Sequence, residues 1–141
     1  MASDIKGARK LRRILKRAEP EVREGYKTVS REIGQNVLTL MKRLAPYDSN
    51  SSGPHLRDAL SARVSPDGLS ISVGLTTKRR RRNFFYARFI EFGTKGFAPR
   101  NIPPMPARPF IEPSFQLTRR ENIALADDLI RRSLKRIASG A

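Results

Sequence analysis

Leu60-Ser-Ala-Arg-Val-Ser-Pro-Asp-Gly-Leu-Ser-Ile-Ser-Val-Gly-Leu75 is the stretch that decides the reading of this chain. Leu60, Ala62 and Val64 alternate with Ser61, Arg63 and Ser65. After Pro66-Asp67-Gly68 the alternation resumes, with Leu69, Ile71, Val73 and Leu75 set against Ser70, Ser72 and Gly74. Two period-two runs joined by a Pro-Asp-Gly turn predict an antiparallel hairpin over residues 56–76, half buried on one face. That face needs a covering element.

The segment upstream supplies one. Val22, Tyr26, Val29, Ile33, Val37, Leu40, Met41 and Leu44 recur at helical spacing, predicting a helix over 20–45 with one continuous core face. Pro20 suits the first turn, and Glu21 and Glu24 suit the positive end of the helix dipole. Gly25 and Gly34 each cost about 1 kcal/mol relative to Ala, which points to something packed close to them. The helix stops before Pro46. Residues 46–55 read as a polar loop, with His55, the chain's one histidine, simply exposed.

Residues 1–19 read as a basic N-terminal helix. Ile5, Leu11, Ile14, Leu15 and Ala18 form a thin apolar stripe among Lys6, Arg9, Lys10, Arg12, Arg13, Lys16 and Arg17. Its density of cations suits an arm lying on nucleic acid or on an acidic neighbour, as well as a plain solvated helix end.

Lys78, Arg79, Arg80, Arg81 and Arg82 are an unbroken cationic run, which mutual repulsion predicts to be an exposed loop over 77–83. Phe84, Phe85 and Tyr86 follow at once, which favours a contact role for the run over a plain solvated hairpin-end loop and admits stacking of single-stranded bases. Phe89, Ile90 and Phe92 read instead as core. Residues 84–92 lean to a short helix over a strand. Glu91, the acid in this aromatic stretch, needs a partner if buried; Arg108 or a neighbouring subunit is the expected one. Six prolines from Pro99 to Pro113 rule out a helix over most of that passage. Phe110, Ile111 and Phe115 among them predict an ordered loop, pinned to the body by its aromatics. Helical patterning returns from Glu112, with a helix over 116–138. Its apolar face is Phe115, Ile123, Ala126, Ile130, Leu134 and Ile137, and its last turns hold Arg131, Arg132, Lys135 and Arg136, which suit the dipole there. Ser139-Gly140-Ala141 read as a frayed tail.

The chain has 141 residues, enough for a single domain with its own core, and no cysteine, which excludes disulfides and thiolate metal sites. It lacks a run of about 18 apolar residues and an apolar signal region, so no membrane contact and cytoplasmic synthesis are expected. Lys and Arg number 29 against 13 acids, a formal charge of +16, which predicts an acidic partner, nucleic acid or protein. Catalysis is not expected. No phosphate loop, metal-ligand cluster or nucleophile–base set appears, and adjacent Asp127 and Asp128 diverge on a helix. No catalytic, cofactor or metal residue is therefore assigned.

Two blocks resemble a known family. Tyr86-Ala87, Phe89, Glu91-Phe92-Gly93-Thr94 and Pro106-Ala107-Arg108-Pro109-Phe110 with Pro113 and Phe115 are similar to the tail-completion proteins of long-tailed bacteriophages. A looser match includes Ala45-Pro46 and Gly53 with Leu56-Arg57-Asp58. The resemblance implies a structural virion protein of the head–tail neck, made in the host cytoplasm and carried in the particle. It implies a ring, six copies matching the six-fold symmetry of such tails, that meets connector or stopper, tail terminator and tail tube proteins, with nonspecific DNA contact in the channel. A tail terminator of the same neck is the runner-up, and a free-standing basic nucleic-acid-binding protein is the reading from another class. The expected fold is α+β: long N-terminal helices and a C-terminal helix on a small antiparallel sheet.

Overall fold

The computed structural model describes residues 20–139, the side chains of Glu21 and Ile137 excepted. The expected basic N-terminal helix, with its seven cations, falls outside the described residues. The fold is α+β. Helix α1 (Pro20–Leu44) leads through a single turn, α2 (Leu56–Ala59), to strands β1 (Ser61–Val64) and β2 (Ile71–Gly74). Short helices α3 (Lys78–Asn83) and α4 (Ala87–Phe92) follow, then a 3₁₀ turn at Ala98–Arg100 and the long helix α5 (Ile111–Ala138).

Alternation set the hairpin register. The strands pair antiparallel, with Ser61 opposite Gly74 and Val64 opposite Ile71. The turn is closed by hydrogen bonds from the Ser65 N–H to the Ser70 carbonyl (2.9 Å) and from the Gly68 N–H to the Ser65 carbonyl (2.9 Å). Ser30 Oγ of α1 donates to the Gly68 carbonyl at 2.6 Å, tying the turn to the helix.

Helix α1 lies across both strands and against α5. Val22, Tyr26, Val37 and Met41 are buried along it, joined by Leu38 from beside the expected stripe, while Leu44 is exposed. A Cβ at Gly34 would sit 3.1 Å from Ile71 Cγ2 and 3.3 Å from Ala62 Cβ, so this glycine lets the sheet approach the helix. The helix ends with Ala45 donating back to the Met41 carbonyl (2.8 Å) before Pro46 turns the chain away. The main core gathers Val37, Leu38, Met41, Leu56, Leu60, Phe84, Ala87 and Phe110. A smaller cluster joins Val22 and Tyr26 to Leu69 and Leu129. His55 is half-buried rather than simply exposed, its ring centroid 4.5 Å from that of Tyr47.

Three expectations fail in instructive ways. The cationic run 78–82 is helix α3, not a loop. Thr77 Oγ1 accepts the Arg80 N–H at 3.2 Å as an N-cap, arginine has good helix propensity, and solvent screens the exposed charges. The C-terminal helix begins at Ile111, five residues before its expected start, because Pro113 sits in the first turn, where a missing N–H costs nothing. Its packed face is also different. Ser114, Thr118 and Ser133 are buried, whereas Phe115, Ile123 and Leu134 are exposed together with Leu117.

The α1–α5 contact is therefore partly a polar ladder. Asn36 Nδ2 donates to Asn122 Oδ1 (3.3 Å), Asn122 Nδ2 to Thr118 Oγ1 (3.1 Å), and Thr118 Oγ1 to the Ser114 carbonyl (2.7 Å). No buried side-chain polar atom among the described residues is left without a partner. Small residues bring the two helices close, and the ladder satisfies the groups this buries.

Candidate interaction surface

The two sequence blocks on either side of the Pro-rich passage form one clip. Glu91, on the inner face of α4, is buried, and it does not pair with Arg108 as expected. Its carboxylate accepts three backbone N–H groups, from Phe110 (2.8 Å), Ile111 (3.0 Å) and Glu112 (3.0 Å). These are free N–H groups at the start of α5, so a carboxylate here completes them and meets the positive end of the helix dipole. The Arg108 N–H donates to the Ile90 carbonyl at 2.8 Å. Gly93 has φ 71°, and a Cβ on it would lie 2.6 Å from the Met105 carbonyl oxygen. Thr94 and Met105 exchange backbone hydrogen bonds of 2.9 and 3.0 Å, and Phe97 pairs with Ile102 beyond them. Phe110, fully buried, drives the clip into the core.

This corrects the picture of a loop pinned by its aromatics. Phe110 alone is the anchor. Every residue from Phe97 to Pro109 is exposed, and Phe115 lies on the outer side of α5. Stiffness comes from the cross-strand backbone bonds and the prolines. Of the motif residues, Ala87, Glu91 and Phe110 are buried, Gly93, Thr94 and Pro113 half-buried, and Tyr86, Phe92, Pro106, Ala107, Arg108, Pro109 and Phe115 exposed.

Turning Glu91 inward turns the α4 phenylalanines outward. Ala87, Ile90 and Glu91 share the inner face; Phe89 and Phe92 share the outer one with Phe85, and these are not core. Phe85 is 66% exposed and Phe92 72%. Phe85 meets Phe89 edge to face, with ring centroids 6.3 Å apart and planes at 86°. Between α4 and β2 runs a groove of about 770 Å³. Val73, Leu75, Phe84 and Ile111 form its inner part; Phe85, Phe89 and Phe92 line it with Arg81 and Arg88. Arg88 and this phenylalanine set escaped the sequence reading. The signal was present, since Phe85, Phe89 and Phe92 fall on one helical face opposite Ala87 and Glu91.

The cationic run divides in two. Arg80 is half-buried, its Nη1 donating to Ser61 Oγ at 2.5 Å, and so braces the hairpin. Lys78, Arg79, Arg81 and Arg82 are exposed, and none has a carboxylate partner among the described residues. A second, shallower groove of about 370 Å³ follows the outer side of α5 past Phe115, Arg119 and Ile123. Among the described residues no group of His, Asp or Glu could hold a metal ion, and no helix is long and apolar enough to cross a membrane.

A surface of exposed phenylalanines and of arginines that have no carboxylate partner among the described residues is suited to contact. Comparison with protein families agrees. Residues 9–93 match the family described as "Bacteriophage HK97-gp10, putative tail-component". The chain belongs to this phage tail-component family. The match takes in the basic N-terminal segment from Arg9, α1, the hairpin, α3 and α4 through Gly93, and stops before the Pro106–Phe115 block. Neither a curated protein nor a solved structure matches the chain. Membership accords with a structural role in a phage or phage-like particle.

Proposed function

We propose that this protein is a tail completion protein: a non-catalytic subunit of a ring, six copies in number, at the head–tail junction of a tailed phage or phage-like particle. The observation that carries the proposal is the outer side of α5. Phe115, Ile123 and Leu134 are exposed there within one arc of the helix, with Leu117, 70% exposed, set apart from them, and a free monomer gains nothing from large apolar side chains in water. A closed ring of copies related head to tail would cover them. Family membership supports a tail component, and the exposed cations suit docking on acidic neighbouring rings or on DNA in the channel.

A tail terminator of the same neck is the runner-up, and the particle's order of assembly separates the two. Gold-labelled antibody against this chain, imaged on particles from the source culture, tests the reading, with mass spectrometry of the same particles to count buried copies. Label at the head–tail junction supports it. Intact tailed particles in which mass spectrometry finds none of this chain would overturn it, in favour of a nucleic-acid-binding protein left in the lysate.

A further inference from the structure

We infer that the groove between β2 and α4 is a docking site for an acidic, apolar peptide segment of a different protein. The inference goes beyond the neck reading and does not depend on it, because it rests on the groove alone.

Shape comes first. The deep part is built from aliphatic and aromatic side chains that are half-buried or buried, among them Val73, Leu75 and Phe84. Such a cleft accepts inserted apolar side chains, as in peptide recognition generally. Phe85 stands edge to face with Tyr86 and with Phe89, at interplanar angles of 81° and 86°, instead of presenting parallel open faces. Successive bases of a single strand stack on open ring faces, so this arrangement favours a peptide over nucleic acid.

Charge then selects the peptide. Arg81 and Arg88 border the groove with no carboxylate partner among the described residues. Glu91 and Glu112 line it too, so the charges of the lining itself balance, with the Glu91 carboxylate turned to three backbone N–H groups at the start of α5. The excess of positive charge comes from the adjoining α3, whose exposed Lys78, Arg79 and Arg82 belong to a chain of formal charge +16 and draw carboxylates towards the groove. This chain is a poor occupant of its own groove. Its N-terminal segment is dense in Lys and Arg, its exposed Pro-rich arm carries Lys95, Arg100 and Arg108, and the whole chain bears +16. A partner with carboxylates flanking aromatic or aliphatic residues satisfies both the cleft and its rim.

Selection of short random peptides on the immobilised full chain tests this, with the Phe92→Ser/Arg88→Glu double variant as the counter-target. Both side chains are exposed, so circular dichroism should match wild type. Winners are expected to carry more acids than bases together with aromatic or aliphatic residues. In fluorescence anisotropy each single substitution should weaken them about tenfold. Winners that are acidic but lack apolar residues, winners that are basic or neutral, or no enrichment over the counter-target would each overturn the inference. So would a thymidine oligonucleotide whose binding falls with Phe92→Ser, which would make the groove a nucleic-acid site. A wild-type oligomer that Phe92→Ser dissolves in sedimentation would make it a contact between copies. All these outcomes are independent of where the protein sits in a particle.

Discussion

The α1–hairpin half and the α4–α5 half of this molecule bury their surfaces by different rules. In the first, apolar residues at the right period point inward and Gly34 allows close approach. In the second, the buried positions include Ser114, Thr118, Ser133 and a glutamate, while phenylalanines face water. The difference teaches that backbone hydrogen bonding can outrank side-chain hydrophobicity in deciding which face turns in. The free N–H groups at the start of α5 need a carboxylate, and supplying Glu91 rotates α4 so that Phe89 and Phe92 point out.

Substitutions can break this contrast. The largest effect is expected from Phe110→Ala, the fully buried aromatic anchor of the clip: about 4 kcal/mol of stability lost in urea unfolding. A loss below about 1.5 kcal/mol would mean that the clip does not depend on it. Glu91→Ala should cost about 3 kcal/mol, since three helix-end N–H groups lose a charged acceptor. Glu91→Gln, which keeps an oxygen in place, should cost roughly half as much. Arg108→Ala should stay within about 0.5 kcal/mol of wild type, and a loss equal to that of Glu91→Ala would restore the ion pair between them.

Gly93→Ala comes next, at about 2 kcal/mol, because its φ is positive and the new Cβ meets the backbone of Met105 and Ala107. Limited proteolysis should then cut the arm between Lys95 and Arg108 faster than in wild type; an unchanged pattern would show that the ribbon holds without this glycine. Asn122→Ala should cost about 1 kcal/mol by opening the ladder to Asn36. If it is neutral, the polar contact between α1 and α5 adds only packing. The smallest effect on stability, within about 0.5 kcal/mol, is expected for Leu117→Ser on the outer side of α5. The same substitution should lower self-association in sedimentation, and a variant that both folds and assembles like wild type would argue that this side remains in solvent.

Where one rule governed, the sequence was legible. Alternation through Leu60–Leu75, broken only at the turn, and a three-to-four spacing through Val22–Leu44 placed the hairpin and the long helix, although Leu56–Ala59, expected within the hairpin, turns as a helix instead. The candidate surface was legible only in part. The arginine run was visible as a contact feature, but Arg80 turned out to brace Ser61, and the groove beside it combines β2, α4 and the start of α5, segments far apart in the chain. Apolar richness misled twice, at Phe89 and Phe92 and along the outer side of α5.

The sequence by itself determined the α+β class, the hairpin and its turn, the long helix, the charge that calls for an acidic partner, and the family resemblance in Tyr86–Thr94. Local period and turn chemistry act within a few residues, so they can be read without a fold. Tertiary structure decided the partner of Glu91, the polar face that α5 packs, and the exposure of the phenylalanines. Each of these depends on which backbone groups from distant segments must be satisfied together, and one strand of letters does not record that proximity.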